Sequence, residues 1–403
     1  MKMKTLVFVC LLPSLILLSI GCENFVTDID PLIEAAEDSR LNNESQIPFI
    51  LNGVTGSLAS YYDGMVAIVS NLSDDVHYNS ALPGASFISW AHISTGYILL
   101  DNSAAAGNYS NMHRLRFYAD DMVRRLGEMT ISDATQRDEA LFWGYFVGGI
   151  ARWCLATYFG LDENTGGSTF DRGPFIPSAE VYDAAIEKFN AALGVSPSAY
   201  LTKVVNSWLA KSYLYKADYA NCRAAANNGL VQGDPDYQLQ YSVEDQNTFY
   251  NSLGRMRTQA GADPRIKGYI DADPLEANRL VIEDIVGADG VTYQRQAFVL
   301  SETDPLYFIG WRENELMLAE MDIRDGANAA ALTRINAIRA SHGLADLAAV
   351  DMDVLITERD KELWLSGVRL PDQRRFDMWH LPADTWKYLP IPESERLINE
   401  NIN

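Results

Sequence analysis

The sequence predicts a mainly α-helical protein, a scaffold of tetratricopeptide-like helical pairs interrupted by irregular, partly β excursions. Three observations carry this. Apolar residues recur at helical spacing through residues 137–230 and again through 311–366. The helical stretches are joined by short connections rich in Gly, Pro and Asn. Between the two blocks lies a turn-rich interval, 232–307, with Asp-Pro pairs beginning at Asp234, Asp263, Asp273 and Asp304.

The first strong helix is expected over Arg137–Gly160. Leu141, Tyr145, Gly149 and Trp153 lie four apart, with Phe142, Phe146 and Ile150 beside them, a stripe broad enough to require burial on more than one side. Its most apolar part, Ala140–Ala151, is too short to cross a bilayer, which needs roughly 20 apolar residues. A Gly-, Thr- and Asp-rich loop, Leu161–Pro177, follows. Ser178 is the expected N-cap of a helix with Tyr182, Ala185, Ile186, Phe189 and Leu193 on one face. Further helices are expected over Leu201–Lys216, burying Trp208, and over Tyr219–Leu230. In the excursion, Leu280–Ile285 and Tyr293–Leu300 read as strands around a turn at Gly287–Gly290. Helices resume at Trp311–Arg324, Asn328–His342 and Asp351–Ser366, each followed by glycine within two residues, a common helix terminator.

The chain has 403 residues and a formal net charge of −22, from 54 acidic and 32 basic residues. Nucleic-acid binding needs a basic surface, and no Lys/Arg-rich run supplies one. The acidity reads as solubility.

The amino terminus carries Lys2 and Lys4, an apolar run from Leu6 to Ile20, and then Gly21-Cys22. This is the pattern of a secretory signal, 1–21. Leu18-Ser19-Ile20-Gly21-Cys22 resembles a lipoprotein cleavage site, with Ser19 in place of the usual leucine, and it implies a lipid (palmitate among its chains) on Cys22. Several acyl chains, at about 0.8 kcal/mol per buried CH₂, anchor a protein durably. Residues 22–45, acidic and polar, form the expected tether, and 46–403 the folded domain. Cys154 and Cys222 lie in apolar helices, where a disulfide and two free thiols are both open.

At the carboxy-terminal end the residues form an ordered set of motifs. Glu358, Arg359, Glu362, Leu363, Gly367, Arg369, Asp372 and Arg375, followed by Pro390-Ile391-Pro392, Glu395 and Asn399, resemble the closing signature of SusD/RagB-like proteins, with Ser366 and Leu365 as departures. Arg152–Gly160, Val181–Leu193, Leu209–Ala220 and Glu315–Glu320 are similar to earlier helices of that family, so the resemblance runs from about Gln46 to the end. It implies a SusD-like fold, with a scaffold at about 110–230, a variable excursion at about 232–307 and a signature region at about 311–403. It also implies a surface-exposed outer-membrane lipoprotein that binds a nutrient, most often an oligosaccharide. Such a protein acts as a lid on a SusC-like TonB-dependent transporter. Within the signature, Glu358, Arg359, Glu362, Arg369 and Asp372 are expected to form an ion-pair lattice locking the last long helix to the carboxy-terminal tail.

Two other classes compete. A glycoside hydrolase needs two carboxyls flanking the bond, one of raised pKa; Glu358 and Glu362 share a helical face but are crowded by Arg359, Lys361 and Arg369, which favour the charged form. None of His77, His92, His113, His342 and His380 stands in a nucleophile or metal motif. No catalytic residue and no cofactor is expected, and the chain is read as a non-enzyme. Asp162–Asp171 faintly resembles a calcium loop but lacks the glutamate at its twelfth position. A periplasmic tetratricopeptide-like adaptor would share the helices without needing surface lipidation.

A saccharide ligand calls for exposed aromatic faces with amides or charges beside them. Of the 8 Trp and 20 Tyr, Trp143, Trp153 and Trp208 fall on helical stripes and read as core. The nominees in irregular segments are His77, Tyr78, Asn79 and Trp90, then Tyr250, Arg255 and Arg257, then Tyr307 and Trp311. The family resemblance implies a pairing of an amino-terminal aromatic with one from the excursion, for which Trp90 and Trp311 are the candidates.

Overall fold

A computed structural model describes residues 38–402. Cys22, the apolar leader and most of the acidic tether lie outside the described residues.

The long helix α1 (Ile47–Leu72) is followed by strand β1 (Val76–Tyr78), helix α2 (Ile88–Thr95) and two long helices, α3 (Ser103–Glu128) and α4 (Ala134–Tyr158). Asn102 and Asp133 start α3 and α4 by accepting the free N–H groups of their first turns, at 2.9–3.1 Å. Helices α1 and α3 stand outside the sequence expectation, which begins its helices at Arg137.

Short strands β2 (Phe159–Gly160), β3 (Gly167–Ser168) and β4 (Ile176–Pro177) lead to helices α5 (Ser178–Leu193), α6 (Ala199–Tyr215) and α7 (Tyr219–Ala226). Helix α4 packs on α3 and α5 at once, as its wide apolar stripe requires. Glycines make this close approach: a Cβ on Gly144 would meet Val123 of α3 at 2.7 Å, and one on Gly149 would meet the Phe189 ring of α5 at 2.5 Å. Ser178 is not the cap of α5. Pro177 holds that position, and the Ser178 hydroxyl donates to the Ala156 carbonyl at 2.6 Å, tying the start of α5 to α4. Helix α7 ends four residues early because Gly229 must lie against Asn314, whose amide donates to the Ala226 and Leu230 carbonyls.

The excursion comprises β5 (Tyr237–Leu239), α8 (Thr248–Ser252), β6 (Ala260–Ala262), α9 (Pro264–Ala272), a 3₁₀ turn (Pro274–Asn278) and the hairpin β7 (Ile282–Val286) and β8 (Thr292–Gln296), then β9 (Leu306–Ile309). The hairpin lies where the sequence expects it, with Gly290 at φ 78° in its turn. Strands β5 and β9 pair antiparallel and sew the two ends of the excursion together. Strand β6 pairs with β1, so the excursion is also stitched to the amino-terminal segment.

Helices α10 (Trp311–Arg324) and α11 (Asn328–Ser341) form an antiparallel pair, followed by α12 (Met352–Glu362), α13 (Arg369–Arg375), β10 (Leu389–Pro390) and α14 (Glu393–Ile398). Helix α12 stops at Glu362, short of the expected Ser366: Leu365 takes a left-handed backbone at φ 60° and Ser366 closes the turn onto the Leu363 carbonyl. Strand β10 returns to pair parallel with β2. Cys154 and Cys222 are buried free thiols. Among the described residues no helix is long and apolar enough to cross a membrane.

Candidate functional site

The signature residues meet in a buried polar layer. Glu358 accepts from Arg279 at 2.9 Å and from Arg339 at 2.8 Å, while Glu362 accepts from Arg312 at 2.6 Å and faces His342 at 2.9 Å. Arg279 also grips Glu276 at 2.7 Å, and Lys361 reaches the same carboxylate at 2.8 Å. Burial works to raise Glu276, but these two cations outweigh it and hold the carboxyl below its ordinary range. On the other side of α12, Arg359 pairs with Asp372 at 2.9 Å, and Asp372 takes Arg375 at 2.7 Å. Arg369 pairs with Asp74 at 2.5 Å. The expected lattice is present, and it reaches further than expected. It ties α12 to the following helix α13 through Arg359 and Asp372, and also to the excursion through Arg279 and to α10 and α11 through Arg312 and Arg339, while Arg369 of α13 holds the segment after α1 through Asp74.

This lattice carries an exposed junction. Residues 77–88 lie against 252–263 and the hairpin turn. The buried Gln259 side chain organises it, accepting from the Ser86 and Phe87 N–H groups at 2.9 and 3.1 Å and donating to the Gly84 carbonyl at 3.0 Å. Thr258 N–H donates to the Pro83 carbonyl at 2.9 Å, and Ala288 N–H to that of Ala81 at 2.7 Å. Gly84, at φ 80°, lets the turn approach Arg257, whose Cγ would lie 3.1 Å from an added Cβ. The junction presents Phe87, Ile88 and Met256, 37%, 66% and 58% exposed, with the Arg257 guanidinium 5.5 Å from the Phe87 ring centre. An apolar ring face with a fork of donors beside it suits a ligand that has both C–H faces and hydroxyls.

The nominated residues divide. His77, Tyr78 and Asn79 do reach this junction. His77 Nε2 lies 2.7 Å from Asp263. Burial would raise the Asp263 carboxyl, yet the bond to His77 and the nearby Arg265 bring it down to about 2. The Tyr78 N–H donates to the Ser94 hydroxyl at 3.2 Å, and the Asn79 side chain accepts from Ala81 N–H at 2.9 Å, closing a turn. His380, whose ring is 6.1 Å from that of His77, is lowered to about 4 by burial. Arg255 pairs with Glu283 at 3.0 Å, and Tyr250 is half-buried at the end of the same segment.

Trp90 and Trp311 do not form a joint platform. Trp90 is buried at 5% exposure, and its carbonyl accepts from Asn71 of α1 at 2.8 Å. Trp311 is buried at 6% at the start of α10, lining a groove of about 460 Å³ with Arg334 and Thr333 of α11. The Tyr307 hydroxyl donates to Glu313 at 3.1 Å. Arg257 was among the sequence nominees, whereas Phe87 and Met256 were not. The one signal for them is the Pro83-Gly84 turn beside an aromatic outside any helical stripe.

In the faint calcium loop, Asp162 accepts from the Asn164 and Thr165 N–H groups at 2.9 and 2.8 Å, and Asp171 pairs with Arg116 at 2.5 Å. Among the described residues no three His, Cys, Asp or Glu side chains converge as metal ligands.

The architecture matches solved structures over most of its length. A SusD superfamily protein from Bacteroides thetaiotaomicron aligns with a TM-score of 0.74 at 15% identity, covering 89% of this chain and 98% of that one. The fold is SusD-like. A laminarin-binding SusD-like protein aligns with a TM-score of 0.73 at 16% identity over 89% of this chain and 98% of that one, and B. fragilis NanU with 0.72 at 14% over 93% and 99%. No protein-family model matches the sequence, and no curated protein matches it. At such identities, what the SusD-like neighbours share with this chain is the architecture.

Proposed function

We propose that the protein is a carbohydrate-binding SusD/RagB-type lipoprotein, anchored through Cys22 in the outer membrane and facing the cell exterior. There it captures an oligosaccharide and delivers it to a SusC-like TonB-dependent transporter. The observation that carries the reading is the junction of Phe87, Met256 and Arg257, an aromatic and cationic platform on a SusD-like scaffold. The laminarin-binding neighbour supports a saccharide as ligand.

The carboxyls favour binding over hydrolysis. Those of the signature layer are each engaged by arginine or lysine. The two that burial lifts to about 7, Asp63 and Asp75, are fully enclosed and reach no surface where a glycosidic oxygen would sit.

The test is a titration of the soluble chain, from Glu23 onward, with hexasaccharides of α-1,4-, β-1,3- and β-1,4-linked glucose, β-1,4-linked mannose and xylose, and β-2,6-linked fructose. Saturable binding that weakens about tenfold in Phe87→Ala supports the reading. Absence of binding to every member, or cleavage of the bound sugar, sinks it. Cys22→Ala should move the full chain out of the membrane fraction, and persistence there would exclude the lipid anchor.

A further inference from the structure

A second aromatic site lies away from the junction. Between the first half of α1, the first turns of α4 and strand β5 runs an open groove of about 440 Å³, within the roughly 300–1,000 Å³ of small-ligand sites. Trp143 and Tyr237 line it, both half-buried and packed on one side against the core, with ring centres 6.4 Å apart and planes inclined by 44°. Sequence periodicity assigns Trp143 to the core, yet α4 turns this ring to the rim of the packed stripe, between buried Phe142 and buried Gly144. Among the described residues no protein group accepts from the Trp143 indole N–H or bonds the Tyr237 hydroxyl. Asn52 of α1, Gln238 and Gln240 of β5 and its end, and Glu139 of α4 stand exposed around the two rings.

From this arrangement we infer that the groove is a second saccharide-binding site, separate from the Phe87–Arg257 junction and taking a short stretch of neutral glycan. The inclined rings match the C–H faces of consecutive sugar units, whose planes also turn relative to each other. The amides of Asn52, Gln238 and Gln240 offer paired donors and acceptors to vicinal hydroxyls, and the Glu139 carboxylate accepts from one more. A charged glycan is disfavoured, because Glu139 repels an acidic sugar and no cation lines the groove. An extended peptide is less well served. Strand β5 is paired only with β9 and has a register irregularity at Tyr237/Gln238, which spoils the regular edge that an added strand needs. Two sites on one rigid chain let a single polysaccharide be held at two points, so that the second contact forms at high effective concentration.

The inference rests on the carbohydrate-binding reading, and the experiment separates the two. Isothermal titration of the soluble chain with the same hexasaccharide panel gives stoichiometry, and affinity electrophoresis in gels containing the matching polysaccharide gives avidity. Two sugars are expected per wild-type chain. Trp143→Ala should leave one, with polysaccharide retention falling about tenfold or more. Gln238→Ala/Gln240→Ala alters only exposed side chains, so it tests the groove without disturbing the core, and it should weaken the second site alone. Phe87→Ala should remove the other site and leave the groove occupied. One sugar per wild-type chain, unaffected by either groove variant but lost in Phe87→Ala, overturns the second site and leaves the carbohydrate reading standing. No binding by the wild type overturns both. Binding of an extended peptide that groove variants abolish, with sugar binding intact, also overturns the assignment.

Discussion

Replacing Arg279 with methionine should loosen the excursion from the scaffold. The Arg279 side chain is 2% exposed and bonds Glu276 at 2.7 Å and Glu358 at 2.9 Å, with Glu362 at 3.5 Å. Breaking one partner of a buried ion pair costs about 3–5 kcal/mol, because a desolvated charge is left behind. Three carboxylates losing one cation argues for the top of that range. Each, however, keeps a second cation or imidazole, from Lys361, Arg339, Arg312 and His342. The expected loss is therefore about 4 kcal/mol, near the middle of the range. Urea unfolding followed by far-UV circular dichroism measures it as a shift in midpoint at unchanged slope. Native-state proteolysis should show faster cutting within 232–307 than elsewhere. The companion Arg279→Met/Glu358→Gln should recover part of the loss, with a coupling of about 1–3 kcal/mol. A loss under about 1 kcal/mol, the range of exposed pairs, with unchanged proteolysis, would refute the view that the lattice fastens the excursion.

Trp90→Ala should cost about 3–5 kcal/mol in the same unfolding assay, as expected of a buried tryptophan, and a stable variant with weakened sugar binding would place Trp90 in the ligand site instead. Asp63 is buried against the Thr248 N–H at 2.7 Å, and burial raises its carboxyl from 3.8 to about 7. The fold keeps a proton that the unfolded chain releases, so this group's contribution falls as pH rises from about 4 to about 7, by at most about 1.4 kcal/mol per pH unit. Thermal melts of Asp63→Asn at pH 5 and pH 8 should show a smaller loss on raising the pH than wild type, and an equal loss would reject the buried, protonated carboxyl. The Cys222 thiol is pushed up to about 12 by burial, and Cys154 higher still for the same reason. Both should resist a thiol reagent such as DTNB in the native state and react stoichiometrically in denaturant, whereas rapid native labelling would contradict their burial.

Helix content and the position of the excursion were legible because they depend on local chemistry. Apolar spacing along Arg137–Tyr158 and the Asp-Pro pairs report on neighbours within a few residues. The signature lattice was half legible. The clustering of Glu358, Arg359, Glu362 and Arg369 marks ionic packing, but the partners come from Asp74, Glu276 and Arg279, distant in sequence and without a pattern of their own. The ligand nominees show the same limit. Phe87 and Trp90 stand three residues apart, at the cap and in the first turn of α2, and nothing in their order tells which ring faces the core. Burial is decided by where α1 passes, through the Asn71 bond to the Trp90 carbonyl, and by Gln259 reaching across from the excursion to hold the Phe87 turn.

By itself the sequence determined the mainly helical class and the hairpin at Gly287–Gly290, and it raised the expectation of a lipid on Cys22, all of which follow from residue order over short spans. Only the tertiary structure decided which aromatics meet solvent, where the signature carboxylates find their cations, and that Trp143, on a core stripe by its spacing, borders a groove with Tyr237. The reason is physical: periodicity specifies which face of a helix is apolar, whereas the edge of that face is covered or left open by segments far away in the chain.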